Sequence, residues 1–281
     1  MNKLYLVATP IGNLEDISAR ALKVLQTVSL IAAEDTRHTL KLLNHYHIKN
    51  RLISLYDHNE EIRIPYLLEI LQGGDVALVS DGGTPALNDP GYALVNAVIT
   101  AGFQVIPIPG PCAPITALIA SGLPTNQFLY LGFLPRQRNA RLKSLQEILH
   151  HPYTLIFLEA PHRLISALED MLTILGNRHI TVARELTKIH EEFYRGTISD
   201  TLTHYKQTIP RGEITLIVEG APQTIASWDD EKINGVIIQN LKSGKTTKQI
   251  IQELLSQTGL TKKQLYQRIQ QLSTQSDPFT E

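Results

Sequence analysis

Residues 76–108 read VALVSDGGTPALNDPGYALVNAVITAGFQVIPI and contain a complete strand, loop, helix and strand. The apolar run VALVS (76–80) predicts a buried strand, Tyr92 to about Ala101 predicts a helix, and VIPI (105–108) predicts the next strand. Strands that alternate with covering helices favour a mostly parallel sheet. Ligands bind beyond the carboxyl ends of the strands in such sheets, so the loop 80–91 is where chemistry is expected.

The loop 80–91 has the composition of a shaped ligand site, with three glycines, two prolines and two aspartates. Gly82 and Gly83 let the backbone approach a ligand closely, and Asp81 and Asp89 are acceptors for an ammonium or a hydroxyl. A long connection capped by its own side chains explains the same composition, because turn residues dominate any loop. Similar loops after other predicted strands favour the ligand site: ATPIGNLED (8–16), PGPCA (109–113) and EAPHR (159–163).

The same alternation extends in both directions from this unit. Before it, the pattern predicts strands at 4–8, 28–33 and 52–56 and helices at 18–25, 39–45 and 60–72. After a proline- and glycine-rich junction, it predicts strands at 128–133, 154–159, 180–185 and 214–220 and helices at 138–150 and 164–175. The chain is therefore predicted to hold an N-terminal α/β domain (1–111) and a second α/β domain (112–222).

Beyond an expected linker at 221–230, the sequence shows helical patterns only. The segments 247–257 and 261–272 flank Gly259 and have the proportions of a helix-turn-helix, with Thr261 as the expected N-cap. Residues 242–272 hold six cations against Glu253, a net charge of +5, so the rest of the chain is about −6. The predicted extension 231–281 is thus basic, which indicates a polyanionic partner.

Composition places the chain among folded globular proteins, with 43% hydrophobic and 19% charged residues. Cys112 is the only cysteine, which excludes an internal disulfide and a cysteine-based metal cluster and agrees with a reducing compartment. The first residues are too short an apolar run for a signal peptide, and no stretch approaches about 18 apolar residues. A cytoplasmic protein without a membrane span is expected.

Common nucleotide and metal motifs are absent from the sequence. SGKTT (243–247) ends like a phosphate-binding loop, but position 239 is glutamine and no strand precedes it. No G-x-G-x-x-G follows the first strand, which disfavours a dehydrogenase of the Rossmann type. The ten histidines form no H-E-x-x-H or comparable spacing, so no metal site is expected.

Eight successive motifs resemble one known family: LYLVATPIGNLEDIS (4–18), AAEDTRHT (32–39), DHNE (57–60), SDGGTPALNDPG (80–91), PGPCA (109–113), GFLPR (132–136), EAPHR (159–163) and RELTKIHEEFYRG (184–196). In this order they are similar to the small-subunit ribosomal RNA methyltransferase I family of the tetrapyrrole (corrin and porphyrin) methylase superfamily, from about Leu4 to Gly220. The departures are small, chiefly Gly83 where alanine is common and Cys112 where serine is common.

This resemblance implies two α/β domains with S-adenosylmethionine in the cleft between them, a basic tail, and a homodimer; the sequence pattern adds that the small C-terminal extension is helical. The implied reaction is methylation of the ribose 2'-hydroxyl of a cytidine in the decoding region of 16S rRNA, free or in the small ribosomal subunit. The residues that it places at the cofactor are Pro10, Gly12, Asp81, Thr84, Cys112, Ala113, Leu158, Glu159, Leu186, Ile214 and Thr215.

A ribose hydroxyl needs a base to remove its proton. Charged or titratable side chains in the matched motifs are candidates, namely Glu34, Asp35, His58, Glu60, His162, Glu185 and Lys188, and we favour Glu185 or Lys188. Each could instead serve an ion pair or a helix cap. The cations expected to contact RNA are Arg37, Arg136, Arg138, Arg141, Lys143, Arg163, Lys245, Lys248, Lys262 and Lys263.

Two alternatives remain open at the level of sequence. A small-molecule C-methyltransferase of corrinoid or tetrapyrrole synthesis would share the cofactor but tends to have a glycine-richer first loop than ATPIGN and no basic extension. A non-catalytic nucleic-acid-binding regulator would use the helix-turn-helix, but would leave about 220 residues of loop-rich α/β sequence as scaffold.

Overall fold

A computed structural model of the chain describes residues 2–208, 210–222, 228–258 and 260–275. It divides into two compact units, Met1–Ala221 and Pro222–Glu281. The first unit holds two five-stranded sheets with helices packed on them, and the elements in the described part of the second are helices. The predicted α/β fold with a helical extension is confirmed. Among the described residues, no helix combines the length and the apolar character that crossing a bilayer requires.

The first sheet is parallel throughout, as the alternating pattern predicts. Its strand order is β3-β2-β4-β1-β5, and apolar side chains from both of its faces pack against helices. The strands are β1 (Lys3–Val7), β2 (Leu30–Ala33), β3 (Leu52–Ser54), β4 (Val76–Val79) and β5 (Gln104–Ile108), and the helices are α1 (Ala19–Thr27), α2 (Thr36–His45), α3 (Glu60–Gly73) and α4 (Tyr92–Thr100).

The second sheet is mixed, with the order β6-β7-β10-β8-β9. Only β6 and β7 are parallel; β10 lies antiparallel between β7 and β8, and β9 is antiparallel to β8. The strands are β6 (Phe128–Phe133), β7 (Thr154–Glu159), β8 (His179–Arg184), β9 (Glu192–Thr197) and β10 (Ile214–Val218), and the helices are α5 (Ala113–Ser121), α6 (Arg138–Glu147), α7 (Leu164–Leu175) and α8 (Ile198–Gln207).

The insertion of β10 decides which residues of the second sheet meet. Because β7 and β8 both run antiparallel to β10, their carboxyl ends lie beside its amino end, where Ile214 pairs with Glu159 and with Arg184. The sequence pattern does not predict β9 or α8. The strand β9 lies at the sheet edge and is only half buried, so it shows no apolar run, and α8 follows it directly.

Local caps set several helix boundaries. The Asp35 carboxylate accepts the Arg37 N–H, and α2 therefore begins at Thr36 rather than at the predicted residue 39. The Ser18 hydroxyl accepts the Ala21 N–H at the start of α1. At α8, the side chains of Thr197 and Asp200 form a reciprocal capping box.

The second unit contains α9 (Asp230–Lys242), α10 (Thr247–Thr258) and α11 (Lys262–Gln275), which share an apolar core that includes Ile237 and Leu265. The predicted N-cap is confirmed, because the Thr261 hydroxyl accepts the Gln264 N–H at 3.3 Å. Of the expected linker 221–230, residues 223–227 lie outside the described residues, as does Gly259. The boundaries 1–111, 112–222 and 231–281 remain predictions.

A buried ion pair ties α6 to α7 in the first unit. Asp170 is 2% exposed, and its carboxylate accepts hydrogen bonds from Arg141 at 2.6 and 2.8 Å and from Arg138 at 3.0 Å. Arg141 is itself only 4% exposed. Removing the carboxylate would therefore leave a guanidinium buried without its counter-charge.

We expect Asp170→Ala to lower the free energy of unfolding by about 3–5 kcal/mol, because it strands the buried Arg141 charge. The matched control is Glu169→Ala, which removes the half-exposed ion pair with Lys206 from the same helix and should cost less than about 1 kcal/mol. Urea unfolding followed by circular dichroism measures both. Equal losses in the two variants would contradict the prediction.

Candidate functional site

A cavity of about 940 Å³ lies in the first unit between the loops of the two sheets. The loops that follow β1, β2 and β4, together with α2, supply one wall, namely Thr9, Pro10, Ile11, Gly12, Leu14, Glu34, His38, Thr39, Lys41, Leu42, Ser80, Asp81, Gly82, Asn88 and Asp89. The start of α5, the end of β6 and the strand ends of the second sheet supply the other, namely Ala113, Phe133, Leu158, Glu159, Ala160, Pro161, Leu186, Lys188, Gly212, Glu213, Ile214 and Thr215.

The loop 80–91 is held in place by backbone contacts before any ligand is considered. Thr9 and Gly83 exchange two backbone hydrogen bonds of 2.9 Å, and Gly83 adopts a φ of +96° that favours glycine. At the other end, a Cβ on Gly91 would lie 2.5 Å from the Leu78 side chain. The loop is therefore fixed to the ends of β1 and β4 rather than being an adaptable connection.

Backbone strain in the described residues concentrates in two loops of this region. Ala86 and Asn88 have φ values of 63° and 66°, and Glu185 and Thr187 have values of 53° and 64°. Such left-handed conformations in residues other than glycine cost free energy and cluster at functional sites. Both the loop 80–91 and the loop after β8 thus have the geometry of a ligand site.

Three carboxylates line the wall built by the first sheet. Asp81 accepts the Asp35 N–H at 2.9 Å, and Glu34 accepts the Asp81 N–H at a longer 3.4 Å. Burial raises the pKa of Glu34, and the negative charge of Asp89 raises it further. Burial also raises the pKa of Asp89, although a hydrogen bond from Ser80 opposes this.

The facing wall contains a buried carboxylate with spare acceptor capacity. The Glu159 side chain is fully buried, its Oε1 accepts the Ala160 N–H at 2.8 Å, and the Arg163 Nε lies 3.2 Å away. Its Oε2 accepts no hydrogen bond from the described residues. Burial raises the pKa of Glu159. Buried polar atoms normally have partners, so Oε2 is a place where a hydrogen-bond donor of a ligand would fit.

The two walls touch where the loop after β1 meets the loop after β8. A Cβ on Gly12 would lie 2.4 Å from the Lys188 Cγ and 2.9 Å from the Leu186 carbonyl oxygen, so only glycine allows this approach. The Asn13 N–H also donates to the Thr187 hydroxyl at 3.0 Å. These contacts close one side of the cavity.

The favoured bases, Glu185 and Lys188, are paired with each other. The Lys188 Nζ donates to Glu185 Oε1 at 2.9 Å and lies 3.3 Å from Glu213 Oε2. Burial alone would lower the pKa of Lys188, but the two carboxylates outweigh it and the pKa is raised; the hydrogen bond from Lys188 lowers that of Glu185. Lys188 is thus held as a cation, and the Glu185 carboxylate is a weaker base than an ordinary glutamate.

Nine of the eleven predicted cofactor residues line the cavity: Pro10, Gly12, Asp81, Ala113, Leu158, Glu159, Leu186, Ile214 and Thr215. Thr84 lies outside the lining and donates its hydroxyl to the Pro111 carbonyl at 3.1 Å, and Cys112 stands at the N-terminus of α5 without a side-chain cap bond. Glu213 and Phe133 also line the cavity without being among the eleven. Phe133 belongs to the GFLPR motif, so the sequence contained a signal that could have placed this residue at the cavity.

The structure separates the predicted RNA contacts into buried and exposed groups. Arg141 is buried against Asp170, and Arg163 donates to the Leu134 carbonyl beside Glu159. Their guanidinium groups are occupied inside the protein, which corrects their assignment to RNA. The remaining members of the set are exposed or partly exposed: Arg37, Arg136, Arg138, Lys143, Lys245, Lys248, Lys262 and Lys263.

Of the other base candidates, Asp35 is paired with Arg37 and Glu60 is buried, accepting the Leu94 N–H at 2.8 Å. Neither they nor His58 and His162 line the cavity. Within the described ranges, no group of three or more histidine, cysteine or acidic side chains is arranged to hold a metal ion.

Comparison with known proteins agrees with this geometry. The tetrapyrrole (corrin/porphyrin) methylases match residues 3–201. A protein of Halalkalibacterium halodurans named ribosomal RNA small subunit methyltransferase I is 46% identical over 94% of this chain and 93% of its own length. A Synechocystis protein of the same name is 48% identical over 95% and 97%. The crystal structure of a diphthine synthase superposes with a TM-score of 0.60 at 14% identity, covering 78% of this chain and 90% of that one.

The diphthine synthase comparison concerns the fold alone, because the sequence identity is low. The two bacterial relatives extend over nearly the whole chain, including the second unit, and the family match covers the first sheet and every strand of the second sheet except β10. The chain therefore belongs to the tetrapyrrole methylase family and, within it, to the ribosomal RNA small subunit methyltransferase I family.

Proposed function

We propose that this protein transfers a methyl group from S-adenosylmethionine to the ribose 2'-hydroxyl of a cytidine in the decoding region of 16S rRNA. The observation that carries the proposal is the cavity between the two walls, which joins a rigid acidic loop to a buried carboxylate with an unused acceptor. The names of the full-length relatives support ribosomal RNA as the acceptor. They also disfavour a non-catalytic regulator.

The residues of the cavity fit the cofactor chemically. S-adenosylmethionine supplies a methyl group on positively charged sulfur, and its amino acid, ribose and adenine parts carry hydrogen-bond donors. Asp81 in the rigid loop is an acceptor for the methionine or ribose part, and Glu159 Oε2 can accept from a buried donor. Leu158, Leu186 and Ile214 offer apolar surface to the adenosine.

The protein contributes mainly positioning. Displacement at an activated methyl carbon requires the acceptor oxygen in line with the breaking bond, and fixed walls hold two reactants in that arrangement. A volume of about 940 Å³ is at the upper end for ligand sites, which leaves room for the cofactor and part of a nucleotide. The contact of Gly12 with the loop after β8 limits access of water from that side.

Exposed cations are proposed to hold the RNA backbone. Arg136 and Lys143 extend from the exposed side of the GFLPR loop and α6, and Lys248, Lys262 and Lys263 lie on α10 and α11. We also propose a homodimer in the cytoplasm. Sedimentation of the purified protein would test the homodimer.

Transfer of a labelled methyl group identifies the acceptor of the reaction. Purified protein, labelled S-adenosylmethionine and undermethylated small ribosomal subunits should yield label at a ribose 2'-oxygen of 16S rRNA, located by nuclease digestion and mass spectrometry. Fully methylated subunits are the control and should remain unlabelled. Label on a base or on a small molecule, or no label, would exclude the proposed reaction.

The charge of Asp81 should matter for cofactor affinity. We expect Asp81→Ala and Asp81→Asn to weaken binding of S-adenosylmethionine in calorimetry by about 10- to 100-fold, the usual effect of losing a hydrogen bond to a charged group. Asparagine keeps an oxygen for the Asp35 N–H, so it separates loop anchoring from cofactor binding. If cofactor affinity falls in the alanine variant but not in the asparagine variant, the role of Asp81 is structural. The control is Glu69→Ala, which changes an exposed carboxylate and should leave the affinity unchanged.

The cations of the second unit should set the salt dependence of RNA binding. Replacing Lys248, Lys262 and Lys263 by glutamine should reduce the slope of log affinity against log salt by about 0.7–0.9 for each phosphate contact that is lost. Filter binding to 16S rRNA at several salt concentrations measures the slope. The control replaces Lys23, Lys49 and Lys206 of the first unit by glutamine. If the two triple variants show the same salt slope, the second unit is excluded from the RNA contact.

A further inference from the structure

The proposed methylation needs a group that takes the hydroxyl proton, and the two residues favoured from the sequence do not fit. Lys188 is held as an ammonium between Glu185 and Glu213. The Glu185 carboxylate accepts both the Lys188 Nζ and the Glu213 N–H at 2.9 Å, and it does not line the cavity. The proton acceptor has to be sought among the other side chains of the cavity wall.

Glu34 occupies the position that this role requires. It directly follows β2, which pairs with β4 in the sheet, so it lies beside the loop 80–91 that follows β4. It lines the cavity together with Asp81 and Asp89, opposite the wall that contains Glu159. Its place therefore depends on the order of the strands and not on a flexible loop.

The carboxylate of Glu34 is less engaged than those of Asp35 and Asp81, and Asp89 has a hydrogen bond from Ser80. Asp35 is occupied by the Arg37 guanidinium, and Asp81 accepts the Asp35 N–H at a normal 2.9 Å. Of the residues in the described ranges, only Asp81 donates to Glu34: its N–H lies 3.4 Å from Oε2, which is beyond the usual hydrogen-bond range. Its Oε1 has no hydrogen-bond partner among the described residues, so it is open to a hydroxyl in the cavity.

We infer that the Glu34 carboxylate accepts the proton of the acceptor hydroxyl during methyl transfer, a role that rests on the proposed function. An oxygen lone pair of the hydroxyl forms the new bond to the methyl carbon. The carbon–sulfur bond breaks with its electron pair passing to the sulfonium, which becomes a neutral thioether. The hydroxyl proton passes to Glu34 and then to solvent, so charge and atoms balance.

Burial and neighbouring charges make the Glu34 carboxylate a stronger base. Burial raises its pKa, and the charges of Asp89, Asp81 and Asp57 raise it as well, while the Asp81 N–H opposes the rise. A base whose pKa approaches the working pH is more efficient than an ordinary carboxylate. The charged or titratable groups on the elements around it are Asp81 and Asp89 after β4, Asp57 after β3, and Arg37, His38 and Lys41 on α2.

Glu34→Gln tests the assignment on the full chain, with S-adenosylmethionine and undermethylated small subunits both saturating. Glutamine has the same shape but does not accept the proton, so the single-turnover rate should fall by about 10²–10⁴. Cofactor affinity in calorimetry should stay within about threefold of wild type. The control Glu69→Gln, exposed on α3, should keep the wild-type rate.

Asp89→Asn provides an independent readout through pH. The reaction requires unprotonated Glu34, so the wild-type rate should rise with pH through the pKa of that carboxyl. Removing the negative charge of Asp89 lowers this pKa, so the rising limb should move to lower pH, and in Glu34→Gln the limb should disappear.

The outcomes separate the two proposals. If wild type does not methylate RNA, the proposed function fails and the assignment of Glu34 fails with it. If wild type labels a ribose 2'-oxygen but Glu34→Gln keeps its rate, or loses only cofactor affinity, the assignment of Glu34 alone is overturned. An unshifted limb in Asp89→Asn would also overturn it, even where Glu34→Gln fails to fold.

Discussion

The pair of backbone hydrogen bonds between Thr9 and Gly83 is the constraint on which the rest of the site depends. It joins the loop after β1 to the loop after β4, two neighbouring strands, and so fixes Asp81 on one side and Gly12 on the other. Gly12 in turn meets the loop after β8, because no Cβ is present to prevent the contact. Through this chain of contacts the bridge between two loops of the first sheet is linked to the second wall of the cavity.

The two walls of the cavity differ in electrostatic character. On the first wall, buried carboxylates crowd together, which raises the pKa of Glu34 and Asp89. On the second, the Lys188 ammonium forms ion pairs with both Glu185 and Glu213. Carboxylates favour a cationic ligand group, and burial raises the proton affinity of Glu34 on this first wall.

Arginine shows why a residue type alone does not identify a role. PRQRNARLK (135–143) is one basic run in sequence, yet its members divide in the structure. Arg141 turns inward to Asp170, which fastens α6 to α7, whereas Arg136 remains exposed. The Arg163 guanidinium forms an ion pair with the buried Glu159 carboxylate. A buried guanidinium with its carboxylate stabilises the wall, and only the exposed cations remain for phosphate.

The sequence by itself determined the parallel first sheet, the position of the glycine-rich loop and the helix pair around Thr261, because period and turn chemistry are local properties. Only the tertiary structure decided that β10 enters between β7 and β8, which brings Ile214 beside Glu159 and Arg184. It also decided that Lys188 is paired with Glu185, while one oxygen of Glu34 has no hydrogen-bond partner in the described part of the chain. Strand order and ion pairing depend on contacts between residues far apart in the chain, and no local pattern encodes them.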